Sequence, residues 1–490
     1  MMTESVSLLL PIIFTGLSPL FIWLLRKNIN QREAVSFVAG ILTFGSVMTF
    51  VPQVLKGNVL VYKLFEILPG VEIKLCADGL GMIFAIVASF LWILATSYNV
   101  GYMRSLKEHA QTRYYFCFAV AIFGAEGVAL SANVFTLYLF YEVITVFTYP
   151  LVAHHQDEEG FAGARKYLVY LMGTSKVFLL PAMVMTYVLC GTLDFKLGDM
   201  MTGIFPADAN PVLVQITYFL YVAGLAKAAI MPFHNWLPSA MVAPTPVSAL
   251  LHAVAVVKAG VFSVSRILLS VFGVNVMTDL NLGFVTACFA AFTIVAASVI
   301  ALTKDDLKAR LAYSTVSQLS YVVLGVAMLT PSSITGGLAH IAHHAFSKIT
   351  LFFAAGAIYV ATHNKKISMM SGLGRKMPWT FGAFALASLS MIGVPPVCGF
   401  VSKWYMINGA VSANYTVFMV ALLASTILNA SYFTPIIFKA FFEAPTYDHS
   451  HFSEAPMTMV VPLCFTAMVS VFLGMYPHVF IQFIQTIKGF

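Results

Sequence analysis

Residues 225–260 read LAKAAIMPFHNWLPSAMVAPTPVSALLHAVAVVKAG. Pro232, Pro238, Pro244 and Pro246 fall inside an otherwise apolar run, with Lys227 near its start and Lys258 near its end. Proline removes a backbone donor and its ring clashes with the preceding turn, so a helix entering this stretch must split near Pro232. Lys227 lies just over one turn before the expected split. Residues 391–406, MIGVPPVCGFVSKWYM, repeat the arrangement: Gly393, Pro395, Pro396 and Gly399 interrupt an apolar run shortly before Lys403. If both runs lie in a bilayer, their non-helical backbone must be satisfied by protein or by a hydrated cavity. Two such interrupted spans in corresponding halves of a chain point to a transporter built from inverted repeats.

The composition puts both runs in a bilayer. Of 490 residues, 60% are hydrophobic, 14% aromatic and only 10% charged, and the mean hydropathy is +0.87. Soluble proteins carry about 25% charged residues, so a soluble enzyme and a nucleic-acid binder are both excluded. Cys76, Cys117, Cys190, Cys288, Cys398 and Cys464 form no C-x-x-C pair, which signals neither a zinc site nor a disulfide framework. No iron–sulfur, dinucleotide-binding or haem pattern occurs, so no cofactor is expected and any electron chemistry belongs to partners. A membrane helix needs about 20 mainly apolar residues. Candidate spans lie near 6–25, 34–55, 79–102, 113–130, 132–153, 165–190, 212–240, 247–272, 282–303, 310–329, 335–362, 379–411, 414–441 and 457–482. The expected fold is therefore an all-α polytopic membrane protein of about fourteen helices, with helices seven and twelve broken. The first span is not expected to be a cleaved signal peptide: residues 1–6 carry no basic residue, and Arg26 and Lys27 follow the span.

With the N-terminus outside, the inside loops hold Arg26, Lys27, Arg32, Arg104, Lys107, Arg113, Arg165, Lys166, Lys304, Lys308, Arg310, Lys365, Lys366, Arg375, Lys376 and Lys439. The outside segments hold only Lys56, Lys63, Lys74, Lys196 and Lys488, with Arg266 near an outer helix end. This asymmetry predicts both termini outside, and it explains the net charge of +7 as topology rather than as a binding surface.

A second group of charges lies inside the apolar spans: Glu126, Glu142, Lys176, Lys227, Lys258, Lys348 and Lys403, together with His252, His340, His343 and His344. A Lys or Asp at a helix centre costs about 2.5–3.5 kcal/mol on insertion scales, so such residues face a polar interior and mark an ion path. Glu126, near the outer end of its span, is expected to snorkel or to hydrogen-bond locally. The lysines lie too deep for snorkelling and are too many for one deep acid to pair. Groups desolvated in this way can exchange protons near neutral pH, and a row of them reads as a proton relay. His340, His344 and Lys348 follow one another at i, i+4 and i+8 along one helical face. No third ligand lies near the two histidines, so no metal is expected there. His343 faces elsewhere and is expected to hydrogen-bond in the core.

Spans four to eight and nine to thirteen each end in a broken helix and its successor, and five spans per set force opposite orientations. The domain division expected is residues 1–112 for the first three helices, 113–272 and 282–441 for two inverted five-helix repeats, and 442–490 for helix fourteen.

The run from Lys227 to Gly260 resembles the proton-translocating antiporter-like family shared by Mrp-type cation/proton antiporters, respiratory complex I and membrane-bound hydrogenases. AHIAHHAFSKITLFFAAGAI (339–358), GVPPVCGFVSKW (393–404) and FTLYLFYEVITVFTYPLVA (135–153) resemble the same family in the same order. The resemblance implies that Glu142 and Lys227 form an ion pair whose opening changes the affinity of the lysine for a proton. It further implies that Lys258, with His252 beside it, links two half-channels. His340, His344 and Lys348 continue the polar line, and Lys403 passes the proton towards the outer exit. Lys176 is either a third partner of Glu142 and Lys227 or a local structural charge. Lysine at 403 is unlike M-type subunits of complex I, His252 and the HAFSK run are unlike N-type subunits, and the end at Phe490 is unlike the longer L-type and Mrp A-type subunits. The chain thus resembles the D-type member of an Mrp antiporter or its counterpart in a membrane-bound hydrogenase. The implied role is a proton-conducting subunit, set among other membrane subunits in the plasma membrane and exchanging protons for Na+ or another monovalent cation. A proton-pumping subunit of an NADH:quinone oxidoreductase or hydrogenase is the alternative, and whether the complex counts as an enzyme is left open with it.

Overall fold

The computed structural model describes residues 2–445, 451–487 and 489; Lys488, counted above among the outer charges, lies outside them. The described helices fall into fourteen successive segments and one short terminal helix. They are α1 (Val6–Leu24), α2 (Ile29–Leu55), α3 (Gly79–Ser105), α4 (Gln111–Ala129), α5 (Val134–Val152), α6 (Glu158–Cys190) and α7 (Pro211–Gly224, then short turns to Val242). There follow α8 (Thr245–Asp279), α9 (Leu282–Leu302), α10 (Leu307–Ala327), α11 (Pro331–Thr362), α12 (Pro378–Ile392 and Cys398–Ser412), α13 (Thr416–Phe442), α14 (Met457–Met475) and the short α15 (His478–Gln485). Ten of these are long and apolar enough to cross a membrane unaided by any break. The chain is a multi-pass helical membrane protein, as its sequence predicts.

Short polar side chains start the helices. Asn28, Asp78, Asn133, Asp157 and Asp306 each accept a backbone N–H from the first turn of the helix that follows, and Thr330 with Ser333 forms a reciprocal cap on α11. Such caps satisfy donors that hydrocarbon cannot. The N-cap carboxylate of α3 also receives two hydrogen bonds from Arg266 of α8, at 2.5 and 2.7 Å, and both residues are buried. This pair ties α8 to the N-terminal end of α3.

The all-helical expectation misses one element. Met2–Glu4 (β1), ahead of α1, joins the hairpin Val59–Leu68 (β2) and Val71–Ala77 (β3), between α2 and α3, in a three-stranded sheet, β1 and β2 parallel and β2 and β3 antiparallel. Charged residues recur along both hairpin strands, and the turn falls at Pro69–Gly70, where Gly70 has φ +75°. Lys63 bridges Glu66 and Glu72 across the sheet, which holds Lys63 above its ordinary lysine value through the two carboxylate hydrogen bonds.

α8 lies at the centre of the bundle: its most apolar stretch is wholly enclosed by protein. α11 runs unbroken through 32 residues, about 48 Å at 1.5 Å per residue, beside α8, α10, both halves of α12 and α14.

Candidate functional site

The helix breaks position the charges. α7 ends at Gly224, and Lys227 sits in a single 3₁₀ turn, Ala226–Ala228, closed by Ala229 in the left-handed region. The break therefore begins before Lys227 and contains it, earlier than the split expected near Pro232. Proline at 232 cannot donate to residue 228 and disfavours the helical conformation just upstream, so the unwinding spreads back towards Lys227. Protein satisfies the freed backbone: Trp236 Nε1 donates to Ala226 O at 3.0 Å, and Thr293 Oγ1 accepts from Met231 N at 3.2 Å. Gly260 of α8 faces the turn, and a Cβ there would run into the backbone of Lys227 and Ala228. The second break falls where predicted, at residues 393–397 between the halves of α12.

Lys227 is buried. Its Nζ donates to Tyr141 O at 2.6 Å and lies 3.1 Å from the centroid of the Tyr141 ring, while its backbone N donates to Tyr141 Oη at 3.2 Å. The expected Glu142–Lys227 ion pair is absent among the described residues. Glu142 Oε2 instead accepts from Lys176 Nζ at 3.0 Å, and Lys176 also donates to Tyr138 Oη at 2.5 Å. Glu142 follows Tyr141 on α5, and consecutive residues project about 100° apart around a helix, so Tyr141 meets α7 while Glu142 turns to α6. Lys176 is thus a partner of Glu142 and not of Lys227. Its side chain is 47% exposed on the flank of the bundle, where a π-helical turn, Ser175–Leu179, carries it.

The second cluster joins α8, α10, α11 and α12. Lys258 Nζ lies 2.7 Å from His344 Nδ1. One turn earlier on α11, His340 contacts Ser402 Oγ through Nδ1 at 2.7 Å and Gln318 Oε1 through Nε2 at 3.0 Å. Lys348, one turn later, donates to Ser314 Oγ at 3.0 Å. His252 sits on a π-helical turn of α8, Leu250–Val254, against the Phe352 ring; neither of its ring nitrogens has a protein partner. Widened turns of this kind recur at functional sites because they re-aim one side chain. Lys403 reaches back across the break in α12 to donate to Met391 O at 2.7 Å and Ile392 O at 2.9 Å, the last carbonyls of the preceding half-helix. All six titratable groups of this cluster are at most 4% exposed.

The structure thus joins Lys258 to His344, runs His340 and Lys348 along the same face of α11, and sets Lys403 over the Tyr321 ring that also adjoins His340. It makes no direct hydrogen bond between Lys227 and Lys258 among the described residues. Two further expectations fail. Glu126 does not snorkel: it is wholly buried, and neither carboxyl oxygen has a hydrogen-bond partner. The ring nitrogens of His343 have none either. Gln318, Ser314, Ser402, Tyr138 and Tyr141 join the site without any mark in the sequence. The polar ones lie on helix faces turned towards the lysines, but a lone Ser, Gln or Tyr in an apolar span carries no signal of its own.

The arrangement gathers buried titratable groups between the central helix and the second broken helix, with Lys227 held separately on Tyr141 at the first. Residues 131–429 match the family model described as NADH:quinone oxidoreductase/Mrp antiporter, TM. The chain is 32% identical over 419 residues to the NADH-quinone oxidoreductase subunit N of Desulforudis audaxviator, covering 82% of each. It is 27% identical over 510 residues to the Na(+)/H(+) antiporter subunit A1 of Staphylococcus aureus, covering 97% of this chain and 61% of that one. Among solved structures it superimposes on a chain of the Mrp complex from Dietzia with a TM-score of 0.85 at 22% identity, covering 98% of this chain and 97% of that one.

Proposed function

The chain belongs to the NADH:quinone oxidoreductase/Mrp antiporter transmembrane family, and from that membership we propose that it is the proton-conducting subunit of a multi-subunit cation/proton antiporter, of the Mrp D-type. It works among other membrane subunits. The exchanged cation is Na+ or another monovalent ion, the membrane is the plasma membrane, and both termini face outward. The two five-helix sets, residues 113–272 and 282–441, act as inverted repeats, each contributing a half-channel at its broken helix.

The reading rests above all on one observation, the buried contact between Lys258 and His344 at 2.7 Å. It joins the central helix to the polar face of α11. A proton taken up near Lys227 passes by way of Lys258 and His344 to His340 and Lys348, and leaves by Lys403. His252 adjoins this route, and the Glu142–Lys176 pair sets the local charge at the Lys227 end. Between Lys227 and Lys258 the proton is carried by bridging water, which polar buried sites hold readily. Lys227→Ala in everted vesicles tests the path: Na+-driven pH change should vanish while the complex still assembles. Transport at the wild-type rate would refute the assignment.

The second reading, a proton-pumping subunit of a redox complex, is favoured by the 32% identity to an NADH-quinone oxidoreductase subunit. Mass spectrometry of the proteins that co-purify with the chain separates the two. Small antiporter subunits support the first reading, and iron–sulfur or quinone-module subunits support the second.

A further inference from the structure

A cluster of titratable side chains lies well away from the relay, at the end of the bundle opposite the β-sheet. The turn between α3 and α4 carries Glu108 and His109, and the turn between α5 and α6 carries His154 and His155. One nitrogen or oxygen from each of Glu108, His109 and His154 can be chosen so that all three lie within 4.8 Å of one another. His155 Nδ1 stands 3.8 Å from Glu108 Oε2.

Two observations set this cluster apart from a chance gathering of loop residues. His154 is wholly buried, yet its Nδ1 has no partner, and its Nε2 stops 3.5 Å from Glu108 Oε2, beyond a good hydrogen bond. A buried polar side chain left without a hydrogen bond is uncommon and costs free energy. The cluster is also held from outside. Arg113 donates to His154 O at 2.9 Å, Gln111 to Glu108 O at 3.1 Å, and Arg32 to Gln111 Oε1 at 2.8 Å. The rings of His109 and His154 meet with centroids 4.8 Å apart, and Tyr114 closes the far side of His154 edge-on. The cluster opens onto a crevice of about 60 Å³ whose walls include Glu108, His155, Tyr102, Thr245, Lys308 and Lys365.

We propose that Glu108, His109 and His154, with His155 as the fourth donor, form a binding site for a borderline divalent transition-metal ion of the Zn2+ class. Three imidazoles and one carboxylate match the ligand preference of such ions, whereas Mg2+ and Ca2+ select all-oxygen sites. Binding would draw the donors in to about 2.0–2.2 Å from the ion, and His109 stands exposed on its turn. The ion would supply the partner that His154 lacks. The site is independent of the transport reading, since neither its ligands nor its test involves the relay.

The test is titration of the tag-free, metal-stripped complex containing the full chain with Zn2+, in competition with a chromophoric chelator. One saturable equivalent is expected that weakens at least about tenfold in His109→Ala and in Glu108→Gln, the scale on which even outer-shell partners act. Both residues lie in surface turns, and the thermal stability of the two metal-free variants, expected to match wild type, checks the fold. Co2+ in place of Zn2+ should give the visible absorption of a four-coordinate site in the wild type and not in His109→Ala. Absence of a saturable equivalent, or wild-type affinity in either variant, would overturn the proposal.

Discussion

The contact between Lys258 and His344 permits a test that separates a proton path from a structural hydrogen bond. Both side chains are wholly buried, and their nitrogens are 2.7 Å apart. A hydrogen bond involving a charged group contributes about 1.5–3 kcal/mol, and leaving a buried partner unsatisfied costs about 1–3 kcal/mol. Lys258→Met and His344→Gln should therefore each lower stability by no more than about 3 kcal/mol, and the complex should still assemble. Glutamine at 344 keeps an acceptor for Lys258 but cannot take up and release a proton. If the pair carries protons in series, each single variant should cut Na+-driven pH change in everted vesicles at least tenfold, equivalent to about 1.4 kcal/mol on the barrier. The double variant should be no slower than the slower single one, because one interrupted path cannot be interrupted twice. Assembly is measured by recovery of the intact complex, and transport by the quench of a pH-sensitive dye. A His344→Gln rate at or above half of wild type would refute the path. So would a double variant whose loss is the product of the two single losses.

Arg266→Met leaves Asp78 buried without its bidentate partner, and loss of about 3–5 kcal/mol is expected; thermal unfolding of the purified complex measures it. Gly260→Val drives a side chain into the turn that holds Lys227, so transport should fall with recovery of the complex, and a variant that assembles and transports normally would contradict the packing described. Lys176→Met removes the partner of Glu142 from a half-exposed flank, where an ion pair contributes only about 0–1 kcal/mol; assembly should be unchanged, while transport slows severalfold because the net charge near Lys227 is altered. Glu142→Gln should slow transport by a similar factor, and unimpaired transport in that variant would leave the lysine line without its acidic control.

Much of this architecture is written in local chemistry. The breaks in α7 and α12 follow from proline and glycine, which act through the backbone regardless of what packs beside them. The alignment of His340, His344 and Lys348 follows from helical spacing alone. What is not legible depends on contacts between distant segments. The choice by Glu142 of Lys176 over Lys227 is decided by how α5 packs between α6 and α7. The π-helical turn at His252 slips the backbone register without a proline to announce it. The burial of Glu126 without a partner is a property of the packed bundle, as is the gathering of Glu108 and His154 from turns 46 residues apart. The β2–β3 hairpin is half legible: residues 59–77 mix apolar and charged side chains as a strand pair does, but a short stretch between two membrane helices has the same look when it is a plain loop.

The lodging of Lys403 on Met391 O and Ile392 O bears on electroneutrality. Five lysines lie within the apolar spans, yet among the described residues Glu142 pairs only with Lys176 and Glu126 pairs with none, so carboxylates do not serve the other four as counter-ions. The end of a half-helix carries about half a negative elementary charge on its unpaired carbonyls, and Lys403 is seated on such an end. Lys227, on the Tyr141 carbonyl and ring, obtains the same service from peptide and π electrons. The backbone therefore acts as a fixed anion. A counter-ion of this kind cannot be protonated away, so a lysine held by it can give up and regain its proton without a second group changing charge. Charge-swap experiments that search for acidic partners of Lys227 and Lys403 should accordingly find none, whereas changes that re-aim Met391 and Ile392 should act on Lys403 as strongly as removal of a carboxylate acts elsewhere.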